Sequence, residues 1–182
     1  DDPESRRNRR RGAFNHIHLL KVNHHSNKDR TPLHPISNPI LLQLMKIAPP
    51  SCEKCFEDYK DALNELQDVV KLYKTAPNEP KNQKRVIRTF ELTHELALKT
   101  IAEYFKKQGR IQPFSGSRDA TVEAFNEELI DDGKGWLEMI IERIKFNPLY
   151  TEDFQGEFAE NIAKTYIKLL ENFERKLKNK LD

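Results

Sequence analysis

Glu91, Glu95 and Lys99 recur four residues apart, so on a helix they share one face. Glu95 with Lys99 is a favourable pair worth a few tenths of a kcal/mol. Glu91 against Glu95 costs about as much unless a cation from another helix lies between them. Arg143, far along the chain, is the candidate for that cation. The structural reading of this set is an ion-pair network. The functional reading is a polar pocket between helices, where a buried guanidinium receives a phosphate bidentately. His94 sits between the two acids in sequence but falls on an apolar stripe, so it is expected to be a hydrogen-bonded interior residue rather than a catalytic base.

Other reactive side chains carry less. Cys52-Glu-Lys-Cys55 stands near a helix start, where a thiolate is favoured. A redox motif needs a βαβ context, and a zinc site needs two more ligands at suitable spacing. Neither is present in the sequence nearby, so two reduced thiols are expected and no metal is assigned. His16, His18, His24, His25 and His34 lie in a segment without a scaffold to hold a metal ion. The arginines at 6, 7, 9, 10 and 11 can touch phosphates, although such a run more often marks a solvated tail.

The elements that must position these residues follow from periodicity. Phe56, Tyr59, Leu63, Leu66, Val70 and Tyr73 step by three and four, the rhythm of a helix stripe. Pro77 and Pro80 break the chain, and Asn78 is the expected N-cap of a second helix. Ile87, Phe90, His94, Ala97, Ile101 and Tyr104 line that helix, and Gly109 stops it. A shorter helix over Ser117–Ile130 is expected to bury Val122, Phe125 and Leu129. Asp131-Asp132-Gly133 reads as a turn. Trp136, Met139, Ile140 and Arg143 begin a fourth helix, which Pro148 must end or kink. Thr151 is placed to cap the last helix, lined by Phe154, Phe158, Ile162, Tyr166, Leu169, Phe173 and Leu177. No segment alternates with period two long enough for a strand. The fold class is all-α: an antiparallel up-and-down bundle of four main helices plus a shorter one.

Residues 1–50 are of a different kind. They hold six of the ten prolines and five of the six histidines, and show no sustained period. They read as a disordered basic, Pro-rich arm with one short helix near Ile40–Lys46, followed by the bundle over 51–182. Met45 is also a candidate start, in which case the arm is not native coding sequence. The arm carries +5 of a total of +2, so the bundle sums to −3. Its bulk is therefore no general nucleic-acid binder, and any such role falls to the arm or to a local patch. No apolar run approaches the length of a membrane span, and a cytoplasmic location is the default expectation.

Three blocks together carry a resemblance. They are Thr89-Phe-Glu-Leu-Thr-His-Glu-Leu-Ala-Leu-Lys-Thr100, Gly116-Ser-Arg-Asp-Ala-Thr-Val-Glu-Ala-Phe125 and Leu129-Ile-Asp-Asp-Gly-Lys-Gly-Trp-Leu-Glu-Met-Ile-Ile-Glu-Arg143. In order and loop length, from about Phe56 to Leu177, the chain resembles the nucleotidyltransferase substrate-binding proteins, a branch of the HEPN superfamily. The resemblance implies a helical bundle that dimerises, here through the Trp136–Ile144 helix and a neighbour. It also implies a separately encoded minimal nucleotidyltransferase that brings ATP or another nucleotide and Mg, with no cofactor in this chain. Many such pairs resemble toxin–antitoxin modules, in which the helical protein is a ribonuclease and its partner adenylylates a tyrosine.

The motif implied is Arg, four residues, His, one residue, Tyr. Here Arg143 and Tyr150 match, Pro148 replaces the histidine, and Ile144 stands where an Asn is usual. RNA cleavage needs a group of near-neutral pKa to move protons, and proline cannot supply one. Ribonuclease activity is therefore expected to be lost or very weak. The chain reads as a non-catalytic partner subunit with Arg143 and, more weakly, Arg118 on phosphate, Glu91, Glu95 and Lys99 shaping the cleft, and Tyr150 as modification acceptor. The alternative is a ribonuclease toxin with an altered site, in which Arg143 is catalytic.

Overall fold

A computed structural model describes residues 50–146 and 153–182. The expected arm helix, Pro148, Tyr150 and Thr151 lie outside the described residues. Ser51 opens helix α1 (Cys52–Thr75), its hydroxyl accepting the Lys54 N–H at 3.1 Å. Helix α2 (Pro80–Lys107) starts with proline at its first position, where no N–H is needed and φ is already helical. That placement makes Glu79 the N-cap instead of the expected Asn78, and its carboxylate forms no capping bond. The two helices make an antiparallel hairpin, with the α1 stripe of Tyr59, Leu63, Leu66 and Val70 packed into one core with Val86, Ile87, Phe90 and Ile101.

Helix α2 ends as Gly109 predicts. The glycine has φ +99°, and the Gly109 and Arg110 N–H groups bond back to Lys106 and Phe105, the Schellman arrangement. Helix α3 is shorter than expected, Ser117–Asn126, because the same device recurs at Glu128. Glu128 has φ 58°, and its N–H and that of Leu129 return to Phe125 and Ala124. The face also differs from expectation. Ala120, Thr121 and Ala124 point inward, while Val122 and Phe125 are about half exposed. Small side chains let this short helix approach α2 closely; Leu129 is buried, but from beyond the helix end.

Asp132 caps helix α4 (Gly133–Lys145), accepting from the Gly135 N–H at 2.9 Å. Trp136 and Met139 turn inward and are buried, so they cannot form an outer face; Ile141 and Ile144 of α4 are its exposed apolar residues. The chain finishes in one rod: α5 (Asp153–Asn161), a π-turn (Ile162–Tyr166) and α6 (Ile167–Leu181). Its start bonds to the start of α2 through Gln155 with Pro80 and Gln83. Its second half reaches α1, where the buried Tyr59 hydroxyl donates to the Leu170 carbonyl at 2.5 Å. The rod therefore runs antiparallel to α1. No strand occurs among the described residues.

Candidate functional site

Helices α2 and α4 bring together residues 49 positions apart. The Arg143 guanidinium reaches across from α4 and touches two consecutive residues of α2. Nη1 lies 3.0 Å from His94 Nδ1, and Nη2 donates to Glu95 Oε1 at 2.7 Å. His94 meets it from the buried side and Glu95 from the exposed side, leaving the arginine side chain 22% exposed. A cavity of about 400 Å³ opens here, lined by Glu91, His94, Glu95, Ser117, Ile140 and Arg143, among others.

The protonation of His94 follows from its surroundings. A guanidinium has only N–H donors, so Nδ1 must accept and the ring proton sits on Nε2. That Nε2 is buried without a hydrogen-bond partner. The ring stacks on Phe90 at 5.8 Å with 5° between planes and meets Trp136 at 5.9 Å. Burial, and secondly the Arg143 charge, depress its pKa to about 3. It is a neutral imidazole that holds a charge and cannot act as a proton donor near neutrality.

Of the candidates read from the sequence, Arg143, Glu91 and Glu95 converge. The expected Glu95–Lys99 pair does not form; the guanidinium takes the carboxylate instead, because it offers a charged donor fixed by a buried acceptor. Burial raises the Glu91 pKa, opposed by Arg143. Lys99 lies in an adjoining groove of about 580 Å³, with Leu92, Leu96, Phe114 and Lys106 among its lining residues. Glu95, Leu98 and Ser117 line both spaces. Arg118 is exposed on the first turn of α3 and lines neither. The link between His94 and Arg143 is the functional contact that periodicity alone misses, although a histidine on a core stripe beside a glutamate was its signal.

The two thiols are free and buried. Burial, then Glu53, pushes Cys52 up to about 11, and burial also raises Cys55. Both are thiols near neutrality and poor nucleophiles. Among the described residues, no helix is long and apolar enough to cross a membrane.

The arrangement can bind an anion without titrating. Arg143 keeps three of its five N–H donors after meeting His94 and Glu95, and Glu95, with 63% of its side chain exposed, can give way to a phosphate. No curated protein matches the chain. The sequence does match, over residues 54–179, the family described as nucleotidyltransferase substrate binding protein like. That span takes in every helix of the cleft, and the chain belongs to this family.

Proposed function

We propose that this chain is the non-catalytic substrate-binding subunit of a two-component minimal nucleotidyltransferase system. The observation that carries the proposal is the Arg143 guanidinium, fixed by a neutral histidine at the mouth of a cleft that adjoins an apolar groove. Such a site suits a phosphorylated substrate, with the charge on Arg143 and an apolar part against the groove. The partner chain supplies ATP or another nucleotide, Mg and the transfer chemistry, and Tyr150 is the hydroxyl offered to it. Arg118 is the weaker phosphate contact, from the turn that also bears Ser117. A homodimer would use Ile141 and Ile144 on the outward side of α4, together with a neighbouring element.

The test is co-expression with a minimal nucleotidyltransferase, taken from the neighbouring reading frame if that frame encodes one, followed by labelled ATP and mass mapping. Stable co-purification and a label on Tyr150 are expected. A partner that does not bind, or a complex that labels neither Tyr150 nor a substrate held by this chain, ends the proposal. Arg143→Ala should abolish binding of the phosphorylated substrate while leaving the complex assembled.

A second reading, a ribonuclease with an altered site, has one observation in its favour: Glu91 is a carboxylate of raised pKa in the Arg143 cleft, a group able to accept a proton. Metal-independent RNA cleavage lost on both Arg143→Ala and Glu91→Gln would establish it instead.

A further inference from the structure

The first two turns of α2 present a second charged surface. Lys81, Lys84, Arg85 and Arg88 are all exposed, and their spacing of three and four puts them on one stripe about 10 Å long. They line a surface hollow of about 560 Å³, together with Glu65, Glu79 and Thr89. The ion pairs among the described residues lie elsewhere and use none of the four. Four cations facing two acids stand out on a bundle whose overall charge is negative.

We propose that this stripe is a docking track for the phosphate backbone of a single-stranded nucleic acid. Its composition separates that occupant from a protein. Protein interfaces place apolar and aromatic groups at their centre and are poor in lysine, whereas nucleic-acid interfaces are polar and strongly positive. The exposed positions of α2 from Lys81 to Arg88 are all lysine or arginine; Pro80 also lines the hollow, but the exposed large hydrophobic residues nearest in sequence, Leu72 and Leu92, do not. With no aromatic ring among the lining residues to stack on a base, binding is to phosphate and independent of sequence. The stripe also has a direction. Glu91 and Glu95 lie three and seven residues beyond Arg88 on the same side of α2, so a strand following the track arrives at the Arg143 cleft.

The experiment uses the full chain with the five arm arginines (6, 7, 9, 10 and 11) changed to glutamine, which removes a competing basic segment. Fluorescence anisotropy with a short labelled oligouridylate is read across a salt series. Lys84→Glu with Arg88→Glu should weaken binding roughly tenfold at low salt and lower the slope of log K against log salt by about 0.7 for each lost contact. The milder Lys84→Gln with Arg85→Gln should give a smaller effect of the same sign, with helix content unchanged in both. Lys178→Gln, at an exposed lysine of α6 that does not line the hollow, should leave the affinity within about twofold. Unchanged affinity and slope in the stripe variants overturn the proposal. So does oligouridylate binding that depends on Arg143 alone, or a stripe that binds a polyglutamate peptide and not the RNA.

Discussion

His94 should make the stability of this protein fall as the solution turns mildly acidic. In the unfolded chain its imidazole titrates near 6.5, whereas in the fold burial and Arg143 hold it at about 3. The native pKa is depressed, so this contribution is complete above about 6.5 and is lost as pH falls, because the unfolded state takes up a proton the native state refuses. Between pH 7 and pH 5 the loss works out at about 2 kcal/mol. With a urea m-value of about 1–3 kcal/mol per molar, the midpoint should drop by roughly 1 M. His94→Phe keeps the stacking on Phe90 and Trp136 but removes the titration. Urea unfolding followed by circular dichroism at pH 7, 6 and 5 should therefore give a smaller acid loss in the variant than in the parent, by about 2 kcal/mol. The comparison cancels Glu91, whose raised pKa acts in the opposite direction in both proteins. Equal pH dependence in the two proteins, or a His94 ring resonance that titrates near 6.5, would refute the reasoning.

Other substitutions probe the supports of the site. Arg143→Ala leaves the buried Nδ1 of His94 without its donor and should lower stability by about 1–3 kcal/mol in chemical denaturation, most of it from that orphaned acceptor and not from the exposed pair with Glu95. Glu128→Gly should raise stability by roughly 0.5–1 kcal/mol, since a non-glycine residue at φ 58° carries left-handed strain. Thermal unfolding is the check, and a loss would show that the Glu128 side chain contributes more than its backbone costs. Tyr59→Phe removes the buried hydroxyl bond to Leu170 and should cost about 1 kcal/mol in urea unfolding. Ala124→Leu inserts bulk where α3 approaches the core and should cost about 1–3 kcal/mol by the same assay.

How far the sequence could be read depended on how many residues voted for each element. The stripes of α1 and α2 each contain six residues at helical spacing, and both were legible because every member returned to the same face. Helix α3 was misread because Val122, Phe125 and Leu129 look like a stripe, while the helix packs through Ala120 and Ala124 and stops one turn early at Glu128. Hydrophobicity favours the large residues; close approach favours the small ones, and over ten residues the second effect won. The last rod held an unread signal. Phe154, Phe158, Ile162 and Tyr166 are spaced by four, a step that drifts about 40° each time on a regular α-helix. The wider π-turn at Ile162–Tyr166 absorbs that drift and keeps Phe158, Ile162 and Tyr166 buried. In the site, charge arithmetic matched Arg143 to the glutamates, but no local pattern could say that His94 would share the guanidinium, since that depends on the approach of α4 to α2.

The histidine that is present does not replace the one that is missing. With a pKa of about 3, His94 carries its second proton in about one molecule in ten thousand at pH 7. Using that form as a general acid would add about 5 kcal/mol to any barrier, a factor of about 10⁴ and as much as general acid catalysis typically gains. The same burial that removes the imidazole from proton transfer makes it a good acceptor for a permanent cation, because it stays neutral while Arg143 stays charged. Pro148 removes proton transfer from the motif that the resemblance implies, and the Phe90–Trp136 environment withholds it from His94. What remains between α2 and α4 is a cation held by a neutral acceptor and an exposed carboxylate, which under the proposed function is a contact for phosphate.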